Sequence, residues 1–133
     1  MSTRQLKIGL RVSDLARSTE LYRAAGFREI PNHEQPNLRY LTFGHTWLIL
    51  SDLHAHGFHS RESALAAQQG PRGAGVVIAI PTTVLDEMYR LWTSHGLPIT
   101  LEREDTGWAR IFYGADPDGY EVMFEQFHDQ RTA

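Results

Sequence analysis

Hydrophobic residues follow a strand-like and then a helix-like spacing in the first half of the chain. In LKIGLRVSD, apolar side chains recur at every second position from Leu6 to Val12, as in a strand with one buried face. The segment LARSTELYRAAG has helical spacing, with Ser13 or Asp14 as its cap and Gly26 as its stop. Three further strands are predicted over FREIPNHEQ, NLRYLTFG and HTWLILSD.

The second half repeats this order of elements. GVVIAI predicts a strand, and TVLDEMYRLWTSHG predicts a helix with a capping-box pattern from Thr83 to Asp86 and a stop at Gly96. Further strands are predicted over LPITLERED, ARIFYGA and YEVMFEQF. The sequence therefore predicts an α+β fold made of two tandem βαβββ units.

A connector separates the two units. It reads LHAHGFHSRESALAAQQGPRG, and its glycines and Pro71 are typical of a surface linker with a short helix from Ser60 to Gln69. The prediction is a single domain over residues 1–133, with module 1 at about 5–52, the linker at 53–73 and module 2 at about 74–127.

The last two strands are joined by a turn with a clear signature, Asp-Pro-Asp-Gly at 116–119. Pro117 presets the φ angle that a turn requires, and Gly119 supplies the positive φ that other residues resist. The turn places the outgoing strand, with Met123 near its centre, beside the strand that begins near Trp108.

Composition narrows the classes of function. The chain has no cysteine, which excludes disulfides, thiolate ligands and a cysteine nucleophile. A net charge of -3 without a long basic run makes nucleic acid an unfavourable partner. No segment resembles a signal peptide or a membrane span, so a cytoplasmic protein without membrane contact is expected.

The motifs LRVSDLARSTELYRAAGF and DPDGYEVMFE, in this order and at this spacing, resemble the vicinal oxygen chelate superfamily. That superfamily includes glyoxalases, extradiol dioxygenases and bleomycin-resistance proteins. The resemblance covers the chain from Leu6 to about Phe127. It implies that the two βαβββ modules form a curved cup and that the protein is a homodimer.

The resemblance also implies four positions at which the enzymes of this superfamily hold a divalent metal. They fall on Lys7, Ile49, Gly75 and Met123. A protonated lysine has no free lone pair, isoleucine and glycine offer no ligand atom, and a methionine thioether is too soft for these metals. We therefore expect a cup without metal or other cofactor.

Two shorter motifs resemble the metal-free bleomycin-resistance type, which sequesters a drug without changing it. LDEMYRLW matches a helix segment, and WARIFYGADPDG matches a stretch whose tryptophan stacks on the planar part of the drug. Trp108 is the implied platform, and Trp92 is expected in the core. The full set of expected ligand-binding residues is Trp47, Ile49, Trp108, Arg110, Phe112, Glu121 and Met123.

Several alternatives remain open at this point. Trp47 suits either the core or the cup lining, and Glu121 suits either ligand contact or solvent exposure. His54, His56 and His59 have a spacing that zinc or nickel can use, but no carboxylate follows at a matching distance, which favours a solvated loop.

The leading hypothesis is metal-independent binding of a small planar or hydrophobic natural product, as in antibiotic resistance. The alternatives are a metal-dependent glyoxalase or dioxygenase with unusual ligands such as the linker histidines, and a cofactor-free isomerase or lyase. The latter would use Glu121 or a histidine as general base.

Overall fold

A computed structural model describes residues 5–32 and 34–128, so His33 lies outside the described residues. The chain divides into two compact units, which meet in sequence between Arg72 and Gly73. Within the described ranges, no helix is both long and apolar enough to cross a membrane.

The first unit contains a four-stranded sheet in the order β1-β4-β3-β2. Strand β1 pairs with β4 in parallel, and the other neighbours are antiparallel. The elements of this unit are β1 (Lys7–Val12), α1 (Leu15–Ala24), β2 (Arg28–Ile30), β3 (Leu38–Phe43), β4 (Thr46–Asp52) and α2 (Arg61–Gln69).

The second unit has the same topology, with a four-stranded sheet in the order β5-β8-β7-β6. Its parallel pair is β5 with β8. Its elements are β5 (Val77–Pro81), α3 (Leu85–Ser94), β6 (Ile99–Asp105), β7 (Ala109–Ala115) and β8 (Glu121–Phe127). The α+β class and the tandem βαβββ repeat predicted from the sequence are therefore confirmed.

Each sheet buries one face beneath a helix of its own unit. In the first unit, Leu21 and Tyr22 of α1 are buried together with Leu41, Leu48 and Leu50 of the sheet. Leu48 and Leu50 are alternate positions of β4 and share one face, because successive side chains of a strand point to opposite faces. Leu41 pairs with Leu48 and therefore shares that face. The opposite face of the same sheet is left for other contacts.

In the second unit, aromatic rings fill the layer between helix and sheet. Trp92 of α3 is fully buried, as the sequence predicted, and meets Phe124 edge-on with ring centroids 5.4 Å apart. Its indole Nε1–H donates to the carbonyl of Ala115 at 2.9 Å, which satisfies the buried donor. Phe112 stacks on Phe124 at 5.2 Å.

The start of α3 differs from the capping box predicted from Thr83 to Asp86. The N-cap residue is Val84, which makes no side-chain cap. The side-chain oxygen of Gln126 instead accepts a hydrogen bond from the backbone N–H of Leu85 at 2.9 Å. This cap comes from a distant strand, so no local sequence pattern reveals it.

Two other local expectations hold, and one strand is shorter than expected. Ser60 caps α2 by accepting from the N–H of Ser63, as the predicted helix requires. Gly119 has φ +90°, and its N–H donates to the carbonyl of Asp116 in the predicted turn. Strand β2 ends at Ile30, because Pro31 follows and has no N–H for the ladder.

The beginning of the connector is held against the first unit by Arg11. Its guanidinium donates to the carbonyls of His56 at 2.7 Å and Gly57 at 2.6 Å. It also lies 3.6 Å from the centre of the Phe58 ring. The first part of the predicted linker is therefore bound to β1. The sequence does not predict this, because nothing about a charged residue on a strand indicates which backbone carbonyls it will contact.

The close packing of Trp92 on β7 makes Gly114 sensitive to substitution. A Cβ at this position would collide with Nε1 of Trp92 and would lie 3.0 Å from the carbonyl oxygen of Pro98. We expect Gly114→Ala to lower the free energy of unfolding by about 1–3 kcal/mol, as overpacking of a core does. Urea denaturation followed by circular dichroism measures the change.

Gly9→Ala is the matched control, since Gly9 is also a strand glycine without a positive φ. No heavy atom lies within 4 Å of a Cβ built there, so its stability should fall by much less or rise slightly. An equal effect of the two substitutions would contradict the packing of Trp92 described above.

Candidate ligand-binding surface

The register of β7 and β8 decides which side chains of the second sheet point away from α3. Phe112 pairs with Phe124 beneath the helix, so the residues on either side of each belong to the opposite face. The face opposite α3 therefore carries Ile111 and Tyr113 from β7, and Glu121, Met123, Glu125 and Phe127 from β8. Met123 and Glu121 are part-exposed there, and Glu121 accepts a hydrogen bond from Thr100 at 3.3 Å.

The same register corrects two of the expected ligand-binding residues. Phe112 is fully buried between the sheet and α3, where its ring meets Tyr89 edge-on at 5.4 Å. Arg110 also points to α3 and forms an ion pair with Asp86 at 3.0 Å. Neither side chain belongs to the face that carries Met123.

Asp86 joins α3 to two strands through arginines. It accepts from Arg110 on β7 and from Arg103 on β6, at 3.0 and 2.9 Å. The hydrogen bond from Arg110, followed by that from Arg103, lowers the pKa of the Asp86 carboxyl. Arg110 and Arg103 thus link the helix to two strands of the sheet.

Trp108 lies in the turn between β6 and β7, and 61% of its surface is exposed. The indole stacks on Phe127, with ring centroids 5.6 Å apart and planes inclined by 27°. One face of the indole is thus supported by a second ring. We call the pair Trp108 and Phe127 the aromatic platform.

The residue after Trp108 is Ala109, the first residue of β7. Ala109 is fully buried, and no residue other than glycine has a positive φ in the described parts of the chain. The backbone at this position therefore has a conformation that alanine adopts without strain.

The turn that carries Trp108 is stabilised by contacts that the sequence did not predict. Asp105 Oδ1 accepts from the backbone N–H of Gly107 at 2.8 Å and lies 2.9 Å from Nε2 of His128. The His128 contact is the main reason why the pKa of the Asp105 carboxyl is lowered, and the Gly107 hydrogen bond follows. Asp followed by Gly two residues later is a recognisable turn signal, but nothing local points to His128.

In the first unit, Trp47 lies on the sheet face opposite α1, because its neighbours Leu48 and Leu50 are buried beneath the helix. Its Nε1–H donates to the side chain of Gln5 at 3.0 Å, and the amino group of Lys7 lies 5.8 Å from the ring centre. Ile49 shares this face. Trp47 is thus a half-buried aromatic residue outside the layer between α1 and the sheet.

The positions that resemble metal-ligand positions do not suit a divalent metal. In the first sheet, Lys7 pairs with Trp47, which lies two residues before Ile49. In the second sheet, the equivalent pair is Val77 with Glu121, which lies two residues before Met123. Gly75 precedes β5, so the residue of the second sheet that is equivalent to Lys7 in register is Val77. Valine offers no ligand atom either, so no residue at these four positions has a side chain that suits such a metal.

The linker histidines are not arranged as a metal site with acidic partners. His59 Nε2 lies 3.1 Å from Ser63 Oγ, while the Asp52 carboxylate accepts from the backbone N–H groups of His54 and Ala55. The backbone N–H of His56 donates to the Asp52 carbonyl. Within residues 5–32 and 34–128, no three His, Cys, Asp or Glu side chains are grouped closely enough to hold a metal ion.

Two tandem βαβββ modules, each with a parallel pair made by its first and last strands, define a class of fold that the family comparison identifies. The chain belongs to the Glyoxalase/Bleomycin resistance protein/Dioxygenase superfamily, whose family model matches residues 4–124. No protein of curated function is significantly similar to it in sequence.

Solved structures share the fold at low sequence identity. The hypothetical protein SA1046 from S. aureus superposes with a TM-score of 0.72 at 20% identity, covering 95% of this chain and 94% of its own. TioX from Micromonospora sp. ML1 gives 0.62 at 18% identity, with 92% and 98% covered. TnmS3 from Streptomyces sp. CB03234, described as an antibiotic binding protein, gives 0.63 at 21% identity, with 96% and 97% covered.

Because no residue at the four positions suits a divalent metal, we predict a low metal content. Protein freed of any purification tag should contain far less than one equivalent of divalent metal per chain, measured by inductively coupled plasma mass spectrometry. A full equivalent of nickel, iron or zinc that survives mild chelation would contradict this expectation. The variant His54→Gln/His56→Gln/His59→Gln would then show whether the linker holds the metal.

Proposed function

We propose that this protein binds a small planar or hydrophobic natural product, such as an antibiotic, and sequesters it without changing it chemically. The observation that carries the proposal is the aromatic platform. An indole with 61% of its surface exposed is held against a second ring by a tied turn. Tryptophan, which combines a large apolar ring with a polar edge, is enriched where proteins bind partners.

The physical properties of the platform favour a planar ligand. The free face of Trp108 is flat and apolar, and the supporting Phe127 ring limits its rotation. Stacking of a ligand ring would add about 0.5–1.5 kcal/mol to the hydrophobic gain from the buried area. Because the platform already exists without ligand, little side-chain entropy is lost on binding.

The face opposite α3 supplies an adaptable apolar side chain in the same unit. Met123, on the neighbouring stretch of β8, replaces the metal-binding carboxylate that the family resemblance implies at this position. Its flexible thioether adjusts to ligands of different shape. TnmS3, an antibiotic binding protein with the same fold, supports small-molecule binding as the function of this chain.

We also propose that two copies of the chain form a two-fold homodimer. Each sheet has two edge strands, and β5 is an edge strand of the second sheet. Its first residue, Val77, and the preceding residue, Val76, are both exposed. Unpaired apolar edges favour association with another strand or chain. A second copy would cover such an edge.

The role of the platform predicts a large loss of affinity in Trp108→Ala. Removing the ring loses both the stacking and the apolar burial, which together correspond to a roughly hundredfold rise in the dissociation constant. Isothermal titration calorimetry with bleomycin and other planar antibiotics measures this dissociation constant. The method does not depend on tryptophan fluorescence, which the substitution of Trp108 would change. Trp108→Phe, which keeps an aromatic ring, is the matched control and should lose less than about tenfold.

Trp108→Ala should leave the fold unchanged, because the side chain is exposed and lies in a turn. Unaltered binding in this variant would move the site elsewhere, with Trp47 as the next residue to substitute. Absence of binding by every compound of the panel would count against drug sequestration.

The proposed dimer predicts a mass of twice 15.2 kDa in solution. Multi-angle light scattering at micromolar concentration measures it directly. A monomeric mass over the whole concentration range would contradict the proposal.

A further inference from the structure

His128 holds the turn that carries Trp108 by two separate contacts. Its backbone N–H donates to the carbonyl of Trp108 at 3.0 Å. Its imidazole Nε2 lies 2.9 Å from Asp105 Oδ1, the same oxygen that accepts from the N–H of Gly107. One residue at the end of β8 thus contacts both the first and the last residue of the turn Asp105–Trp108.

We propose that His128 is a positioning residue for the aromatic platform, and that its imidazole, when protonated, orders Trp108 for ligand binding. The proposal rests on the proposed function, since it assigns a regulator to the same site. His128 acts through Asp105 and the turn, and it needs no contact with the ligand itself.

The geometry separates the positioning contacts from the platform. Asp105 pairs in register with Arg110, whose side chain points to α3, so Asp105 and His128 meet on the helix side of the sheet. Phe127 belongs to the face opposite α3. A ligand stacked on Trp108 and a change at the His128 imidazole therefore act from different sides of the sheet.

The charged groups around His128 come from every neighbouring element. They are Asp105 on β6, Arg110 opposite it on β7, and Asp86 on α3, which is neutralised by Arg103 and Arg110. On β8, the charged residue Glu125 belongs to the opposite face of the sheet. Carboxylates and guanidinium groups keep their charges between pH 5 and 8, whereas an imidazole ordinarily changes its charge in this range.

The direction of the pH effect follows from these charges. The lowered pKa of Asp105 keeps its carboxylate charged until the solution is more acidic than an ordinary aspartate requires. Above that limit, a protonated imidazole makes a charge-assisted contact with the carboxylate, which is stronger than the neutral one. The turn should therefore be held best near pH 5.5 and less well near pH 8.

Fluorine NMR of protein labelled with 5-fluorotryptophan tests the proposal without any ligand. The chain has three tryptophans, and the resonance that disappears in Trp108→Phe belongs to Trp108. We expect this resonance to differ between pH 5.5 and pH 8, and to be broader at the higher pH. In His128→Gln, which keeps the backbone N–H but cannot be protonated, the pH dependence should be absent.

His95→Gln is the matched control, because His95 is an exposed histidine of the same unit at the end of α3. Its Trp108 resonance should titrate as in the unaltered protein. A titration that persists in His128→Gln, or a Trp108 resonance that does not respond to pH in the unaltered protein, would overturn the proposal.

Bleomycin binding adds a second measurement, with the unaltered protein and His128→Gln compared at the same pH so that titration of the drug cancels. We expect His128→Gln to bind roughly threefold more weakly at pH 5.5 and nearly equally at pH 8, as exposed ion pairs have small effects. Equal affinities at both pH values would count against the positioning role. If bleomycin does not bind at all, the proposed function loses support, while the fluorine resonances still decide the role of His128.

Discussion

The stack of Phe112 on Phe124 beneath α3 is the contact on which the arrangement of the second unit depends. The two rings are fully buried and occupy paired positions on adjacent strands, so they fix the register of β7 and β8. A slip of one strand by one residue would turn its ring to the opposite face and expose it to water, and the loss of apolar burial would be costly. Because side chains alternate, this one pair also decides that Met123 and Phe127 lie away from the helix.

The sequence predicted what depends on local spacing. Helices α1 and α2 begin at caps that are visible in sequence, and the turn at Gly119 has its expected conformation. It did not predict which face Phe112 and Arg110 occupy, because that depends on the partner strand. The cap of α3 likewise comes from Gln126, 41 residues from the N–H that it accepts. Local patterns determine elements, but pairing across the sheet determines which side chains share a surface.

In the candidate site, too, a local sequence pattern predicts one residue, while its contacts depend on pairing across the sheet. Trp108 was singled out by a motif, yet the residues that make it a usable platform are not near it in the motif. Phe127 supports the ring, and His128 reaches Asp105 across 23 positions of sequence. These contacts arise because β8 runs antiparallel to β7, so its end returns to the turn at the start of β7. The fold brings the platform and its supports together although no short pattern contains them all.

Replacement of metal-binding side chains changes how a site of this family can gain binding energy. A metal ion attracts oxygen ligands strongly and fixes their direction, whereas Met123 and Val77 provide dispersion and apolar burial without direction. Orientation must then come from flat, rigid surfaces. An indole that could rotate freely would lose entropy on binding, and this loss would offset the weak stacking gain. Under the proposed function, the contacts of Asp105, Phe127 and His128 would therefore have the role that coordination geometry has in a metal site, because they fix the direction from which a ligand can stack on Trp108.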